Sequence, residues 1–373
     1  MEKKRRNPTL DIIRIVALFC VVSWHFFCNS DFDRITVEGP QMFVMTILRS
    51  IFVICVPMFI ILTGYLMNKK ELSKKYYKGA IKTIVIYIIF SVIFHIFAKL
   101  HLNQDVTIWS FIKDLLAYKG TTYAWYIEMY LGLFILIPFF NIIFNNLNEK
   151  QVKILLWTLV ATFGLHGILN TYKEFGSWWL MPSADRDGYI KIVPSWWKNV
   201  YPIFYYYLGA YFARYKVNMS AKKNILLWIV AIIIDGIYNF WRSRGGTFIW
   251  GDWNDYSSLN VMILSFLAFN LLLKINFKKE NNIRDNILKH VSNSILGAYL
   301  ISCMFDKIVY EDYLKKLVPN VNDRFIYAPI VVMIVFVLSI LLSMMVNVIY
   351  DNIAKFIKNK QIKENIWYNS KHN

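Results

Sequence analysis

The sequence predicts an all-α fold: a polytopic membrane helix bundle of about ten transmembrane helices with both termini cytoplasmic. Three observations lead to this class. Hydrophobic residues make up 57% of the 373 residues and charged residues 18%, whereas a soluble domain has roughly 45–50% and about 25%. Apolar segments recur along the whole chain between short polar turns. Lysine and arginine residues collect on alternate turns.

Most of the apolar segments approach the ~20 residues that a spanning helix needs. In chain order they cover residues 10–28, 43–67, 80–98, 123–144, 152–169, 200–212, 225–240, 259–273, 292–309 and 326–349. The sixth, seventh and eighth are short, so they need polar extensions or a thin, buried crossing. We expect residues 1–373 to form a single integral-membrane domain without a soluble appendage.

The basic balance of the chain fits a membrane better than a nucleic acid. The net charge is +18, but no DNA- or RNA-binding motif accompanies it. When the N-terminus is placed inside and the segments alternate, the inner turns hold more lysine and arginine than the outer ones, as the positive-inside rule requires. We therefore expect membrane lipids as partners, no nucleic acid, and an even number of crossings.

The cysteines give no sign of a disulfide framework or a metal site. All of them lie in or at the ends of apolar segments and none has CxxC spacing; they are Cys20, Cys28, Cys55 and Cys303. A free cysteine in such a segment behaves as a small buried hydrophobe. We expect no metal.

The first apolar segment carries two polar residues on one helix face. Arg14 and His25 are about three helical turns apart, so their side chains share a face about 16 Å apart along the axis. An arginine inside a membrane helix costs about 3 kcal/mol on insertion scales and is tolerated when it faces protein, water or a ligand. The imidazole of His25 suits a general base, since its reference pKa is about 6.5. Arg14 suits a phosphate or a developing oxyanion. A histidine here can also simply hydrogen-bond a neighbouring helix.

Further polar residues are expected near His25 in the outer halves of their helices. Glu128 lies within an apolar run and needs a cation or donor as partner, which His25 or Arg49 could supply. His166 falls at the same depth, whereas Arg14 falls in the inner half. A polar cluster outside and a cation inside, joined by one helix face, is what a group transfer across the membrane needs.

The predicted outer loops, residues 171–199 and 242–256, are rich in tryptophan. The simpler interpretation is an aromatic belt at the level of the lipid headgroups. The more specific interpretation is a binding platform on which a sugar ring stacks. Its candidate residues are Trp178, Trp179, Asp185, Asp187, Trp196, Trp197, Trp250, Asp252, Trp253 and Asp255.

Several motifs resemble the membrane acyltransferase-3 family. LDIIRIVALFCVVSWHF resembles the family's first helix, with its arginine and histidine at the spacing of Arg14 and His25. VPMFIILTGYLM resembles its second-helix pattern, WYIEMYLGLFILIPFF its fourth helix with the leading Trp125, and DYSSLNVMILSFLAF a later helix. The resemblance covers nearly the entire chain and is nearest to stand-alone bacterial members that O-acylate surface polysaccharides.

The resemblance implies a multi-pass protein of the bacterial plasma membrane that passes an acyl group from cytoplasmic acyl-CoA to a sugar hydroxyl outside. Acetyl is the expected group, so acetyl-CoA is the expected donor and a surface glycan the acceptor. The family's essential histidine maps onto His25 and its arginine onto Arg14, at the donor. Glu128 matches the family's fourth-helix acid loosely. Where members often read GIYLxH, this chain reads GAYLISC with Ser302, which leaves His25 as the main proton acceptor.

The predicted site therefore has His25 and Glu128 as catalytic residues and Arg14 at the acyl-CoA. Arg49, Trp125 and His166 are expected at the acceptor, and a homo-oligomer is compatible with the sequence. The alternative function is a transporter or flippase for polysaccharide or lipid-linked sugars, although the two halves of the chain show no similarity. A membrane scaffold is a third option, but it has little use for intramembrane charge.

Overall fold

The computed structural model describes residues 6–170, 191–277 and 281–372, with side chains described as far as residue 352. Most of the described residues are helical, and their extended backbone pairs only at two isolated bridges, Thr36 with Thr247 and Val37 with Arg244. The all-α class is thereby confirmed. Four residues of the proposed sugar platform, Trp178, Trp179, Asp185 and Asp187, lie outside the described residues.

Every apolar segment predicted from the sequence is helical. The α-helices are α1 Pro8–Asn29, α2 Gly39–Phe52, α3 Cys55–Met67, α4 Lys74–Tyr77, α5 Gly79–Leu100, α6 Ile108–Leu116, α7 Trp125–Asn145, α8 Glu149–Phe163, α9 His166–Leu169, α10 Pro202–Arg214, α11 Ala221–Ser243, α12 Leu259–Leu272, α13 Asn282–Asp306, α14 Lys315–Leu317, α15 Val321–Arg324 and α16 Ala328–His372. A π-helical stretch, Lys307–Leu314, follows α13 directly.

Seven stretches of the described chain are long and apolar enough to cross a membrane. They are Pro8–Arg34, Gly39–Met67, Lys74–Leu100, Trp125–Asn145, Glu149–Leu169, Ala221–Ser243 and Val321–Asn352. Helices α10 and α12 have 13 and 14 residues, which at 1.5 Å each reach only about 20 Å of the ~30 Å hydrocarbon core. The expected ten crossings and cytoplasmic termini therefore stay a prediction.

The second predicted segment is split into α2 and α3 by a proline. Pro57 has no N–H to donate to the carbonyl of Val53, four residues earlier, and its ring crowds that carbonyl, which favours a break in the helix at this point. The chain turns at Val53 and Ile54, and Cys55 Sγ lies 3.9 Å from the freed carbonyl of Val53. The break places α2 and α3 against different neighbours: α2 packs on α11, and α3 packs on α10 and α1.

Glycines allow α3 and α10 to approach closely. A Cβ at Gly64 would overlap the backbone carbonyl of Tyr206, and one at Gly209 would overlap that of Ile61. Small residues at such crossings let helix backbones touch, which is the usual packing device in membranes. The absence of side chains at Gly64 and Gly209 therefore lets the backbones of α3 and α10 meet.

Helix α1 lies at the centre of the bundle and contacts α2, α3, α12, α13 and α16. Asn7 caps its start by accepting a hydrogen bond from the Thr9 N–H. Just beyond its other end, Asp31 accepts hydrogen bonds from Lys315 Nζ at 3.0 Å and from Arg324 Nη1 at 2.5 Å. Both ends of the helix that carries Arg14 and His25 are therefore fixed.

Candidate functional site

Arg14 and His25 both face α13. Near the start of α1, Arg14 Nη1 donates to Ser292 Oγ at 3.2 Å. Near its end, His25 Nδ1 lies 3.2 Å from Asp306 Oδ2. The two helices therefore run parallel, and both polar residues look onto the same neighbour. The shared face predicted from their spacing is confirmed.

His25 lies in a compact buried cluster with Asp306 and Tyr123. Its side chain is 10% exposed and that of Asp306 2%. The Nδ1 and Oδ2 atoms are within ion-pair distance but are not aligned for a hydrogen bond. The Tyr123 hydroxyl donates to the same Oδ2 at 2.6 Å, and its ring stacks on the imidazole with the centroids 3.7 Å apart. Tyr299 holds this arrangement by donating to the Tyr123 carbonyl at 2.9 Å.

Asp306 is a candidate site residue that the sequence analysis did not identify. It is a carboxylate inside the apolar segment 292–309, the same signal that drew attention to Glu128. It also stands one helical turn after Ser302, whose hydroxyl donates back to the Tyr299 carbonyl at 2.9 Å. The π-helical stretch begins immediately after Asp306. Such widened turns are frequent at functional sites.

Arg14 lines a cavity of about 190 Å³ at the other end of the shared face. Tyr126, Tyr130 and Tyr299 form its aromatic walls, and Ser292 lies at the same end as Arg14. Tyr299 therefore links this cavity to Tyr123, whose ring stacks on His25. The volume is below the ~300–1,000 Å³ of whole-ligand sites, so it suits the slender arm of a donor better than an entire cofactor.

The guanidinium of Arg14 shares one carboxylate, that of Asp11, with the guanidinium of Arg6. Asp11 accepts hydrogen bonds from Arg14 Nη1 at 3.1 Å and from Arg6 Nη2 at 2.6 Å. Two guanidinium groups and one carboxylate leave one net positive charge in this cluster, of which Arg14 lines the cavity. A guanidinium presents planar donors that match phosphate oxygens, so this cluster has the chemistry to bind an anion.

Arg49 is buried in an aromatic cage. Its guanidinium carbon lies 4.3 Å from the ring centroid of Trp24 and 4.7 Å from those of Phe248 and Trp250. Arg49 Nη2 donates a long hydrogen bond, 3.4 Å, to the Asn254 carbonyl, while Nε and Nη1 have no partner among the described residues. Cation–π attraction offsets part of the cost of burying the charge. Trp24 directly precedes His25, so the same turn of α1 contributes one residue to the cage and one to the His25 cluster.

Trp125 is joined to the same cage through Tyr256. Their rings stack with centroids 6.2 Å apart, and Tyr256 lies 6.3 Å from Trp24. Burial raises the pKa of the Tyr256 phenol well above its usual value, so the hydroxyl remains protonated. The structure thus brings Arg49 and Trp125, two of the predicted acceptor residues, into one aromatic cluster beside His25.

His166 lies in a neighbouring polar group. It is buried, and neither ring nitrogen has a hydrogen-bond partner in the described part of the chain. Gly167, the next residue, packs closely on the backbone of Asp252, whose carboxylate pairs with Lys198 Nζ at 2.9 Å. A buried imidazole with two free nitrogens is costly unless water or a ligand satisfies it.

Glu128 is not where the sequence predicted it. Helix α7 begins at Trp125, so Glu128 falls in its first turn, and its side chain is exposed. It makes no ion pair or hydrogen bond with His25 or Arg49 in the structure. The expectation of an embedded carboxylate paired with one of them is wrong, because Glu128 faces away from the bundle. The carboxylate beside His25 is Asp306.

The described tryptophans of the outer loops divide into two groups. Trp196 and Trp197 are exposed, as a headgroup belt or a sugar platform requires. Trp250 belongs to the Arg49 cage, and Trp253 is buried beneath the Arg242 guanidinium. Among the described residues, no three or more His, Cys, Asp or Glu side chains are grouped to hold a metal ion.

The fold and the site together define a multi-pass membrane protein with a histidine–carboxylate pair and an arginine-lined cavity on one helix seam. The sequence profile of the family described as an acyltransferase domain matches residues 7–344. The chain therefore belongs to this family of membrane acyltransferases, the acyltransferase-3 family. In a bacterium such a protein resides in the cell membrane.

The individual relatives of this chain are distant in sequence. Proteins named "Probable poly-beta-1,6-N-acetyl-D-glucosamine export protein" from Staphylococcus aureus strains MSSA476, MW2 and N315 are each 23% identical to this chain over 251 residues. These alignments cover 66% of this chain and 67% of each relative. No solved structure matches.

Proposed function

We propose that this protein transfers an acyl group, by expectation acetyl, from cytoplasmic acyl-CoA to a hydroxyl of a cell-surface polysaccharide or its lipid-linked precursor. The observation that carries the proposal is the α1–α13 seam. It places the Arg14 cavity at one end and the His25–Asp306 pair at the other. With both termini in the cytoplasm, the cavity faces the donor side and the pair faces the acceptor side.

His25 is the proposed general base. Its imidazole takes the proton of the sugar hydroxyl while that oxygen attacks the thioester carbonyl carbon. The C–S bond then breaks, and the proton returns from the imidazolium to the leaving thiolate of CoA. Asp306, 3.2 Å from Nδ1, stabilises the imidazolium between these events. A variant of this path has His25 acylated transiently before the sugar attacks.

Arg14 is the proposed anchor of the donor. With Arg6 and Asp11 it keeps one net positive charge beside a cavity walled by tyrosines. The phosphates of CoA fit this charge, and the narrow arm that carries the thioester fits the cavity. Tyr299 lines the cavity and donates to the carbonyl of Tyr123, whose ring stacks on His25, so the proposed path of the thioester to the imidazole passes these two tyrosines.

The acceptor is proposed to bind at the Arg49 cage and near His166. The exposed part of Trp125 and the aromatic cluster behind it suit a sugar ring. The unpaired nitrogens of His166 suit sugar hydroxyls. The relatives' printed name refers to a polymer of N-acetylglucosamine, which supports a polysaccharide acceptor for this chain.

The test is the acyl ester content of the surface glycan, measured by NMR in cells that carry wild-type protein or His25→Ala. We expect the esters to disappear in the variant while the protein remains inserted at its normal level. Asn322→Ala, at an exposed position far along the chain, serves as the control. Unchanged ester content in stably inserted His25→Ala protein would refute the proposal.

Export of polysaccharide is the second candidate, because the relatives' printed name calls them export proteins. The two functions leave different traces. Loss of the gene removes esters but leaves export normal if the protein is the acyltransferase proposed here. Glycan accumulates inside the cell if the protein is the exporter.

A further inference from the structure

A long apolar groove runs along the outside of the bundle between α8, α10, α11 and α12. Its volume is about 1020 Å³, at the upper end of the ~300–1,000 Å³ typical of ligand sites. Leu208 and Phe266 form part of its floor. Trp157 and Ile234 line it and are 71% and 62% exposed. The groove therefore opens sideways, where the acyl chains of the bilayer lie.

The two ends of the groove differ in charge. Lys153 and Lys216 line one end together with Glu149, which pairs with Lys153 at 2.7 Å. Lys216 is exposed and has no ion-pair or hydrogen-bond partner in the described part of the chain, so this end carries a net positive charge. At the other end, Asn260 Nδ2 donates to Asp235 Oδ1 at 2.9 Å, a polar pair that closes the groove.

We propose that the groove binds one anionic glycerophospholipid of the cytoplasmic leaflet. Its phosphate lies against Lys153 and Lys216, and its acyl chains run along the apolar walls. Basic pockets between membrane helices on the cytoplasmic side recognise anionic lipid headgroups in this way. The single basic end matches an amphiphile with an anionic headgroup, whereas a second copy of the chain would meet the same positive end with like charge. The inference rests on the proposed orientation and is independent of acyl transfer.

The test is native mass spectrometry of the full-length protein in detergent, titrated with phosphatidylglycerol and with phosphatidylcholine of the same chains. We expect one tightly bound phosphatidylglycerol per chain and weaker phosphatidylcholine. Lys153→Ala combined with Lys216→Ala should weaken phosphatidylglycerol binding by about fivefold per lysine and leave phosphatidylcholine unchanged. Ala231→Trp, which fills the groove, should weaken both lipids.

Matched controls lie elsewhere on the bundle. Lys74→Ala with Lys75→Ala removes two exposed lysines outside the groove, and Ile142→Trp adds the same bulk to an exposed apolar face; neither should alter lipid binding. His25→Ala should bind the lipid as wild type does, which separates this result from that of the acyl-transfer test. Equal affinity for the two lipids in wild type would overturn the proposal, as would unaltered binding in the double lysine variant. A dimer that Ala231→Trp abolishes would assign the groove to a second copy and overturn it too.

Discussion

At the scale of residues, the sequence predicts the helix face on which His25 lies, but it does not predict that Asp306 is the carboxylate beside it. The helical period alone places Arg14 and His25 on one face. Which carboxylate meets that face depends on which distant helix packs there, and no local pattern reveals that the neighbour is α13. Asp306 and Glu128 both stand in apolar runs of the sequence. Only the packing shows that one is buried against His25 and the other is exposed.

Replacing the two carboxylates one at a time decides between them. Asp306→Asn keeps the size but removes the charge beside His25, so acyl transfer should fall roughly ten- to hundredfold, as expected for loss of an interaction of ~1.5–3 kcal/mol with a charged group. Glu128→Gln should change it little. The measurement is the rate of acyl transfer by purified protein to a glycan acceptor. Full activity in Asp306→Asn together with an inactive Glu128→Gln would return the catalytic role to Glu128.

At the scale of elements, glycines and one proline explain how the helices fit together. Pro57 predicts a disturbed helix from its chemistry, and the structure shows the resulting break between α2 and α3. Gly64 predicts a close approach but not its partner. The partner is α10, whose Gly209 supplies the matching gap. Such reciprocal contacts join residues far apart in the sequence, which is why the local pattern shows only one side.

The tight crossing should be sensitive to a single methyl group. Gly64→Ala places a Cβ into the carbonyl of Tyr206, and overpacking of this kind costs about 1–3 kcal/mol. We expect a lower midpoint of thermal unfolding in detergent. Gly132→Ala, within α7 and with no atom near its new Cβ, is the matched control and should be neutral or stabilising. Equal midpoints for the two variants would argue against the close crossing.

The segment after Asp306 is joined to the end of α5 by a pair that depends on pH. His101 Nε2 donates to Asp312 Oδ2 at 2.7 Å, and this hydrogen bond, aided by Lys316, lowers the pKa of Asp312. The contact therefore stabilises the fold above the ordinary carboxylate pKa of about 3.9 and is lost as the pH falls through the lower folded-state value.

Hydrogen exchange of residues 307–317 measures this effect. After correction for the intrinsic pH dependence of amide exchange, the exchange rate of these residues should be constant from pH 7 to 5. It should rise only below about pH 4, where the Asp312 carboxylate becomes protonated. Because the pair is exposed, the increase should be small. Asp312→Asn should show the increase already at pH 7. A variant whose exchange matches wild type at both pH values would show that the pair contributes nothing.

At the scale of the whole molecule, composition fixed the class and left the count of crossings open. High hydrophobicity and recurrent apolar segments predict a helical membrane bundle, and the described chain is one. Helices α10 and α12, with 13 and 14 residues, are too short for length alone to decide whether they cross. Charge asymmetry between the turns predicts the orientation, which the fold by itself does not reveal.

Accessibility to a membrane-impermeant maleimide tests the orientation in a Cys28→Ser background, since Cys28 is the exposed native thiol of the described chain. A cysteine at the exposed position Lys119 should react in intact cells, because it precedes α7 on the proposed outer side. One at Lys75, between α3 and α5, should react only after lysis. Reaction of both positions from the same side would contradict the proposed arrangement.

The pairing of α1 with α13 has a consequence for biogenesis. His25 emerges early from the ribosome, whereas Asp306 is synthesised near the end of the chain. A nascent or truncated polypeptide that ends before α13 therefore holds the imidazole of His25 without the carboxylate of Asp306 beside it. Under the proposed mechanism, the site becomes competent for acyl transfer only once α13 has been inserted beside α1, so assembly of the bundle would itself protect the acyl donor from wasteful hydrolysis.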